Sequence, residues 1–184
     1  MRTTWLVVAC ATVGLLSGCG VMRVDNQVES HAKWAPSALS TGEVSYRFER
    51  TPSQEMASPL QAELEQAVAT TLAPAGWRLN PDAAQWRVSV TASHIKLAKA
   101  PWEPGAAHRN MALGAFIDQP YHLRAVSVVV RDNTRGEVAY ETQARHDGRW
   151  NEAPAIWHAM VQAALAEFPK PPAGLRVINV DIPR

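Results

Sequence analysis

Apolar and polar residues alternate with a period of two in several segments of this chain, and this alternation constrains the fold more than any other feature. Val44, Tyr46 and Phe48 alternate with polar neighbours. Successive side chains of a strand point to opposite faces of a sheet, so the pattern predicts a strand with one buried face. The same pattern occurs over residues 85–97 and on both sides of a turn at 132–136, which predicts an antiparallel hairpin there.

Two other segments carry apolar residues at spacings of three and four, which places an apolar stripe along one face of a helix. The first begins after Ser58, an N-cap residue followed by Pro59 at the first helical position, and ends before Gly76. The second begins near Pro154 and ends before Pro169. Both helices need an apolar surface on which to bury these stripes.

The complete pattern predicts the element order β-β-α-β-β-β-α-β. In this order, residues 20–34 supply a first strand rather than a free tether, and residues 175–182 supply the last strand. A mixed or mainly antiparallel sheet with two helices packed on one face buries every apolar face at once. We therefore predict an α+β fold.

The N-terminal segment has the organisation of an export signal. Arg2 gives it a positive start, and the apolar run over residues 5–16 has signal-peptide length but is too short to span a bilayer. The run ends in the letters LSGC at 16–19, which resemble the lipobox of bacterial lipoproteins. This resemblance predicts a lipoprotein signal peptide over residues 1–18 and lipidation of Cys19. The alternative is an ordinary secretory signal or a buried helix that happens to contain a cysteine.

Lipid on Cys19 would hold the mature protein at a membrane. Each buried methylene contributes about 0.8 kcal/mol, so a single acyl chain binds marginally whereas two or more anchor stably. A mature lipoprotein carries three such chains. Gly20, rather than an aspartate, follows the cysteine, and by analogy with enterobacterial lipoprotein sorting this favours the outer membrane. We expect residues 19–184 to form one periplasmic domain on that membrane.

The composition of the mature chain excludes several classes of partner and of cross-link. Removing residues 1–18 removes Arg2 as the only charge and leaves 17 basic and 17 acidic residues. A neutral domain has no excess of cations to collect phosphates, which argues against nucleic-acid binding and against electrostatic adhesion of the whole domain to anionic lipid. Cys10 leaves with the signal and Cys19 is acylated, so the domain must fold without a disulfide. Its length is sufficient for a hydrophobic core of its own.

Together with the lipobox, two further segments resemble a family of bacterial lipoproteins. They are the strand VSYRFER at 44–50 and the segment from Phe168-Pro169 to Gly174, which precedes the terminal strand. The family is known as domain of unknown function 4136, and the resemblance covers roughly residues 22–182. It implies an α+β periplasmic domain on a lipid anchor. No established activity, cofactor or catalytic residue comes with it.

The histidines are numerous enough to raise a metal site, but their spacing does not support one. No pair lies four residues apart on a predicted helix, and no His-Glu-x-x-His motif occurs. A Gly-x-Ser-x-Gly motif for hydrolysis is also missing from the sequence, and the adjacent His146 and Asp147 would point to opposite faces of a strand. We expect no metal, no cofactor and no enzymatic activity. The six histidines are read as solvated or core-edge residues: His31, His94, His108, His122, His146 and His158.

The connection from Lys99 to Gln119 is the best candidate for a functional segment, because so long a connection is uncommon unless it binds something or is disordered. It could dock on a partner, cover a groove or enter lipid headgroups. The alternative is a flap that packs on the domain's own sheet. The candidate contact residues are Trp102, Met111, Leu113, Phe116 and Ile117.

These features together predict a lipid-anchored envelope lipoprotein that acts as a non-enzymatic interaction or assembly module, with an envelope protein as its partner. The alternative is a periplasmic carrier that holds a lipid or another apolar small molecule between the sheet and the helices.

Overall fold

The computed structural model describes residues 20–34, 43–56, 59–98, 120–149 and 153–183. In this part of the chain, seven strands form a single sheet. The strands are β1 (Val21–Ala32), β2 (Val44–Phe48), β3 (Trp77–Leu79), β4 (Trp86–Leu97), β5 (Tyr121–Asp132), β6 (Val138–Gly148) and β7 (Arg176–Pro183).

Three helices lie in the same described ranges. They are α1 (Pro52–Glu55), α2 (Pro59–Leu72) and α3 (Ala153–Leu165), and a short 3-10 helix at Ala73–Ala75 follows α2. The helices α2 and α3 contact each other, and α3 also contacts β1, β5, β6 and β7. The predicted α+β class, with two helices packed on one face of the sheet, is confirmed.

The strand order across the sheet is β3-β2-β4-β5-β6-β1-β7. β2 runs parallel to its neighbours β3 and β4, whereas the other described strand pairs are antiparallel. Parallel neighbours need a crossover connection, and α2 supplies it between β2 and β3. The sheet is therefore mixed and mainly antiparallel, as the sequence predicts.

The structure contains two short elements that the predicted order lacks. β3 is a strand of three residues at the sheet edge, and α1 is a single helical turn. Segments this short cannot display a period of two or of three to four, so the alternation argument does not detect them. The N-cap of α1 is Thr51, which exchanges hydrogen bonds with Gln54 in a capping box. Ser58, the expected N-cap of α2, lies outside the described residues.

The core is a layer of valines between the strands and the two long helices. On the sheet side, the central residues are each at most 1% exposed. On the helix side, α2 and α3 contribute side chains that are equally buried. The sheet residues are Val24, Val28, Val88, Val90, Val126, Val128 and Val130, and the helix residues are Leu64, Val68, Leu72, Ile156 and Met160.

An aromatic cluster around Trp34 closes one end of this core. The Trp34 ring stacks on Tyr140 with ring centroids 6.0 Å apart, and it meets Trp86 edge-on at 5.3 Å and Phe168 edge-on at 5.7 Å. Its indole Nε1 donates a hydrogen bond of 2.7 Å to the carbonyl oxygen of Pro169. Edge-on and offset ring pairs add stability beyond the apolar area that they bury. The cluster thus attaches the segment after α3 to the end of β1.

Among the described residues, no helix has the length and apolar character needed to cross a membrane.

The aromatic cluster yields a stability prediction. Trp34→Ala removes a ring with several aromatic neighbours and a hydrogen bond, so we expect the free energy of unfolding to fall by about 3 kcal/mol in urea titrations followed by circular dichroism. Leu175→Ala is the control, because Leu175 is 66% exposed and its truncation should change stability by less than about 0.5 kcal/mol. Equal losses in the two variants would contradict a structural role for the cluster.

Candidate functional site

The residues that the sequence assigns to function lie outside the described residues. This holds for Cys19 and for the candidate contact residues between Trp102 and Ile117. The structure shows where the 99–119 segment attaches, because Leu97 at the end of β4 lies opposite Tyr121 at the start of β5. We call this the loop end of the sheet: residues 93–97 of β4, 121–125 of β5 and 145–148 of β6. The opposite end, where residues 133–137 join β5 to β6, is the turn end.

On the helix-facing side of the loop end, polar residues take the place of the valines. The register sets His94 opposite Arg124, and Arg124 opposite His146. His122 lies one inward-facing position closer to the start of β5 than Arg124. His122, Arg124 and His146 are 2%, 3% and 8% exposed. A basic layer, formed by His94, His122, Arg124 and His146, therefore continues the hydrophobic core at this end.

Two histidines of this layer form a hydrogen-bonded pair across strands. His94 Nε2 and His122 Nδ1 are 2.7 Å apart, so one ring nitrogen donates and the other accepts. The two rings are stacked with centroids 5.0 Å apart, and Trp157 of α3 meets the His94 ring edge-on at 6.3 Å. His146 donates from Nδ1 to the carbonyl oxygen of Asp25 at 2.9 Å. The Nε2 atoms of His122 and His146 are buried and have no hydrogen-bond partner in the described part of the chain.

Burial and neighbouring cations disfavour protonation of the paired histidines in the basic layer. Burial lowers the pKa of His94 and of His122, and the positive charges of Arg124 and Lys96 lower both further. Burial also lowers the pKa of Arg124. The paired imidazoles are consequently held in the neutral form to a lower pH than free histidine.

Reasoning from local spacing does not find this pair, because 28 residues separate His94 from His122. A signal is nevertheless present in the sequence. His94 continues the inward phase of Trp86, Val88 and Val90, and His122 precedes Val126 in the inward phase of the next strand. Two histidines in the inward phase of paired strands indicate a polar contact at the edge of the core. His122 takes the first inward-facing position of β5 and its partner His94 is exposed, so the pair lies at the edge of the core, in agreement with the expectation of core-edge histidines.

The basic layer does not provide a metal centre. No group of three or more histidine, cysteine, aspartate or glutamate side chains is arranged to hold an ion in the ranges that the structure describes. Asp147, adjacent to His146 in sequence, accepts a hydrogen bond from the Tyr121 hydroxyl instead. His146 is buried and Asp147 is exposed, which confirms that the two neighbours point to opposite faces of β6.

The face of the sheet opposite the helices carries a recess at the loop end. Its cavity volume is about 350 Å³, and its lining includes Gln27, Ser93, Leu123, Ala125 and Ile95, which is 56% exposed. Ligand pockets usually have volumes of about 300–1,000 Å³ and bury most of the ligand. This recess reaches that size but is widely open to solvent, so it is better suited to a partner surface than to an enclosed small molecule.

A second recess of about 410 Å³ lies at the turn end, beside Lys33, Trp34 and Trp86. The two indole rings there are already engaged in the aromatic cluster. The Asp132 carboxylate, which also lines the recess, accepts hydrogen bonds from the backbone amides of Thr134 and Arg135 and so stabilises the turn. Most of the groups that could recognise a ligand here serve the fold.

Comparison with known proteins supports the fold and goes no further. No protein-family model and no curated protein matches the sequence. A PDZ domain protein from Parabacteroides distasonis aligns over 88% of this chain at 10% identity and a TM-score of 0.59, and this chain spans only 39% of that protein. Identity this low shows a shared fold alone, so membership of the domain of unknown function 4136 family stays a prediction.

Two further solved structures align more loosely. The PelC dodecamer from Paraburkholderia phytofirmans aligns over 77% of this chain and 95% of its own, at 14% identity and a TM-score of 0.46. A minor lipoprotein from Acinetobacter baumannii aligns over 68% of this chain and 91% of its own, at 11% identity and a TM-score of 0.39. We draw no functional argument from similarity at this level.

The histidine pair yields a prediction of pH dependence. Because burial and the neighbouring cations hold the folded pKa of His94 and of His122 below the ordinary histidine value of about 6.5, the unfolded chain binds more protons around that pH. Stability is therefore full above about pH 6.5 and is lost as the pH falls from there through the folded pKa. His122→Gln should reduce this loss in urea titrations between about pH 8 and about pH 5. His31→Gln, at an exposed position, is the control, and an unchanged pH profile in His122→Gln would contradict the assignment.

Proposed function

We propose that this chain is a lipid-anchored lipoprotein of the cell envelope, related to the domain of unknown function 4136 family, and that Cys19 carries the lipid. The support is the apolar leader ending in LSGC and the glycine that follows it, which favours the outer membrane. On this proposal the folded domain lies on the periplasmic side. Its function there is non-enzymatic contact with another envelope protein.

The observation that carries the interaction function is an unpaired strand edge within the sheet. β5 pairs with β4 along residues 86–97, whereas β2 pairs with β4 only at residues 86–88. In the described ranges, the rest of β4 has no strand on its β2 side. The first acceptor of this edge beyond the β2 pairing, the carbonyl oxygen of Val90, accepts hydrogen bonds from the side-chain amides of Gln54 and Gln61 at 3.0 and 3.4 Å.

Beyond Val90, the edge runs on through residues 92–97, and Ser93, His94, Ile95 and Lys96 are exposed. The backbone groups of a strand edge are best satisfied by another extended polypeptide, which adds a strand to the sheet. This favours a protein as the partner. The carrier alternative needs an apolar space between sheet and helices, and buried side chains from both layers occupy that region.

The lipid anchor has a direct test. Cys19→Ser removes the only thiol that the lipobox presents, so we expect unprocessed precursor on immunoblots and loss of the protein from detergent-extracted membrane fractions. Cys10→Ser is the matched control, because Cys10 lies within the leader and should leave processing unchanged. Normal processing and membrane fractionation of Cys19→Ser would rule out the lipoprotein assignment.

The interaction function is tested by photo-crosslinking in intact cells. A crosslinking amino acid at Thr91, which is exposed beside the unpaired edge of β4, should give a discrete protein adduct. The same amino acid at Gln66, exposed on the outer side of α2, should not. Deleting residues 101–117 should remove the adduct if that segment also contacts the partner. Identical adduct patterns from Thr91 and Gln66 would exclude the β4 edge as the contact surface.

A further inference from the structure

β1 carries the lipid anchor to a particular end of the sheet. β1 begins at Val21, where it pairs with Pro183, and it runs antiparallel to β6. In β6, Arg145 lies opposite Gln27, and Gly148 at the end of β6 lies opposite His122. The start of β1 therefore projects from the loop end of the sheet, on the same side as the attachment points of the 99–119 segment.

The connection between the anchor and this strand is very short. Only Gly20 separates Cys19 from Val21, and two residues span at most about 7 Å even when fully extended. The pairing of Val21 with Pro183 on β7 keeps β1 within the sheet from its first residue. A lipid on Cys19 therefore leaves no linker with which the domain could stand away from the bilayer or turn over.

The side chains of the loop end suit a phospholipid surface. Val21 and Ile95 are 61% and 56% exposed, and Lys96 is also exposed at this end. Two nearby carboxylates are already engaged, because Asp181 pairs with Arg23 at 2.9 Å and Asp147 accepts from the Tyr121 hydroxyl. Asp25 is a further exposed acidic residue here, and its negative charge acts on Arg23. An apolar and cationic surface is attracted to anionic headgroups.

We infer that the loop end of the sheet lies directly against the membrane, with anionic phospholipid headgroups as its partner, and that the turn end points into the periplasm. The inference rests on the lipidation of Cys19 proposed above. The 12 residues of β5 correspond to a strand about 40 Å long, which separates the two ends. The unpaired edge of β4 then lies in the half of the domain nearest the membrane, so a strand docked there would also be close to the bilayer.

The mature chain offers a clean way to measure this orientation. Cys10 is removed with the leader and the Cys19 sulfur is blocked by lipid, so an introduced cysteine is the only reactive thiol. Ala98→Cys places a dye at the loop end, and Thr134→Cys places it at the turn end, both at exposed positions. Each lipidated variant is reconstituted into phosphatidylethanolamine vesicles that contain a minor fraction of phosphatidylglycerol and an acceptor-labelled lipid.

The dye pair is chosen so that its Förster distance is shorter than the length of β5. We then expect energy transfer to the headgroup acceptors to be several-fold stronger from position 98 than from position 134. Equal transfer, or stronger transfer from position 134, overturns the orientation. A purified protein that carries no lipid and does not float with the vesicles overturns the lipidation as well, so the two failures are distinguishable.

The headgroup assignment has its own measurement. Lys96→Glu, in the Ala98→Cys background, should lower the transfer on vesicles with phosphatidylglycerol and leave it unchanged on vesicles of phosphatidylcholine alone. Lys170→Glu is the matched control. Lys170 is an exposed lysine that follows α3, and the C-terminal end of α3 packs near Tyr140 at the turn end of the sheet. Equal transfer in Lys96→Glu and the parent on both vesicles overturns anionic headgroups as the partner.

Discussion

The antiparallel pairing of β4, β5, β6 and β1 is the constraint on which the rest of this structure depends. β4 and β5 are paired along all 12 residues of each strand. A shift of one residue would turn every helix-facing side chain to the opposite face, and the buried valines make such a shift costly. The valine rows therefore also hold the basic layer in register, because its residues belong to the same strands. Valine packing in the middle of the sheet therefore fixes which polar side chains meet at the loop end.

The two ends of the sheet close the core in different ways. At the turn end, Trp34 packs among aromatic rings and hydrogen-bonds to Pro169, so this end is held by apolar contacts. At the loop end, the core gives way to the stacked pair of His94 and His122 beside Arg124. Burial of such groups is costly unless they are hydrogen-bonded. The two ends of the domain therefore differ chemically, and β1 begins at the basic end, next to the proposed lipidation site Cys19.

Much of the fold could be predicted from the sequence, and the misses have a common cause. Alternation over residues 85–97 identified β4 together with its buried face, whereas β3 and α1 contain too few residues to show any period. The chemistry was harder to predict, because His94 and His122 meet only through strand pairing. The unpaired edge of β4 was equally hidden, since it depends on where β2 ends in space. Cys19 and the 102–117 contact residues lie outside the described part of the chain and stay predictions.

The sequence by itself determined the fold class, the buried face of each long strand and helix, and the absence of cysteine from residues 20–184. These are local or compositional properties, and alternation and helical spacing report them directly. Only the tertiary structure decided which residues lie side by side: the histidine pair, the edge of β4 that has no neighbouring strand within the described residues, and the end of the sheet from which β1 emerges. The physical reason is that register and strand order come from contacts between segments distant in the chain, and no local pattern of residues contains them.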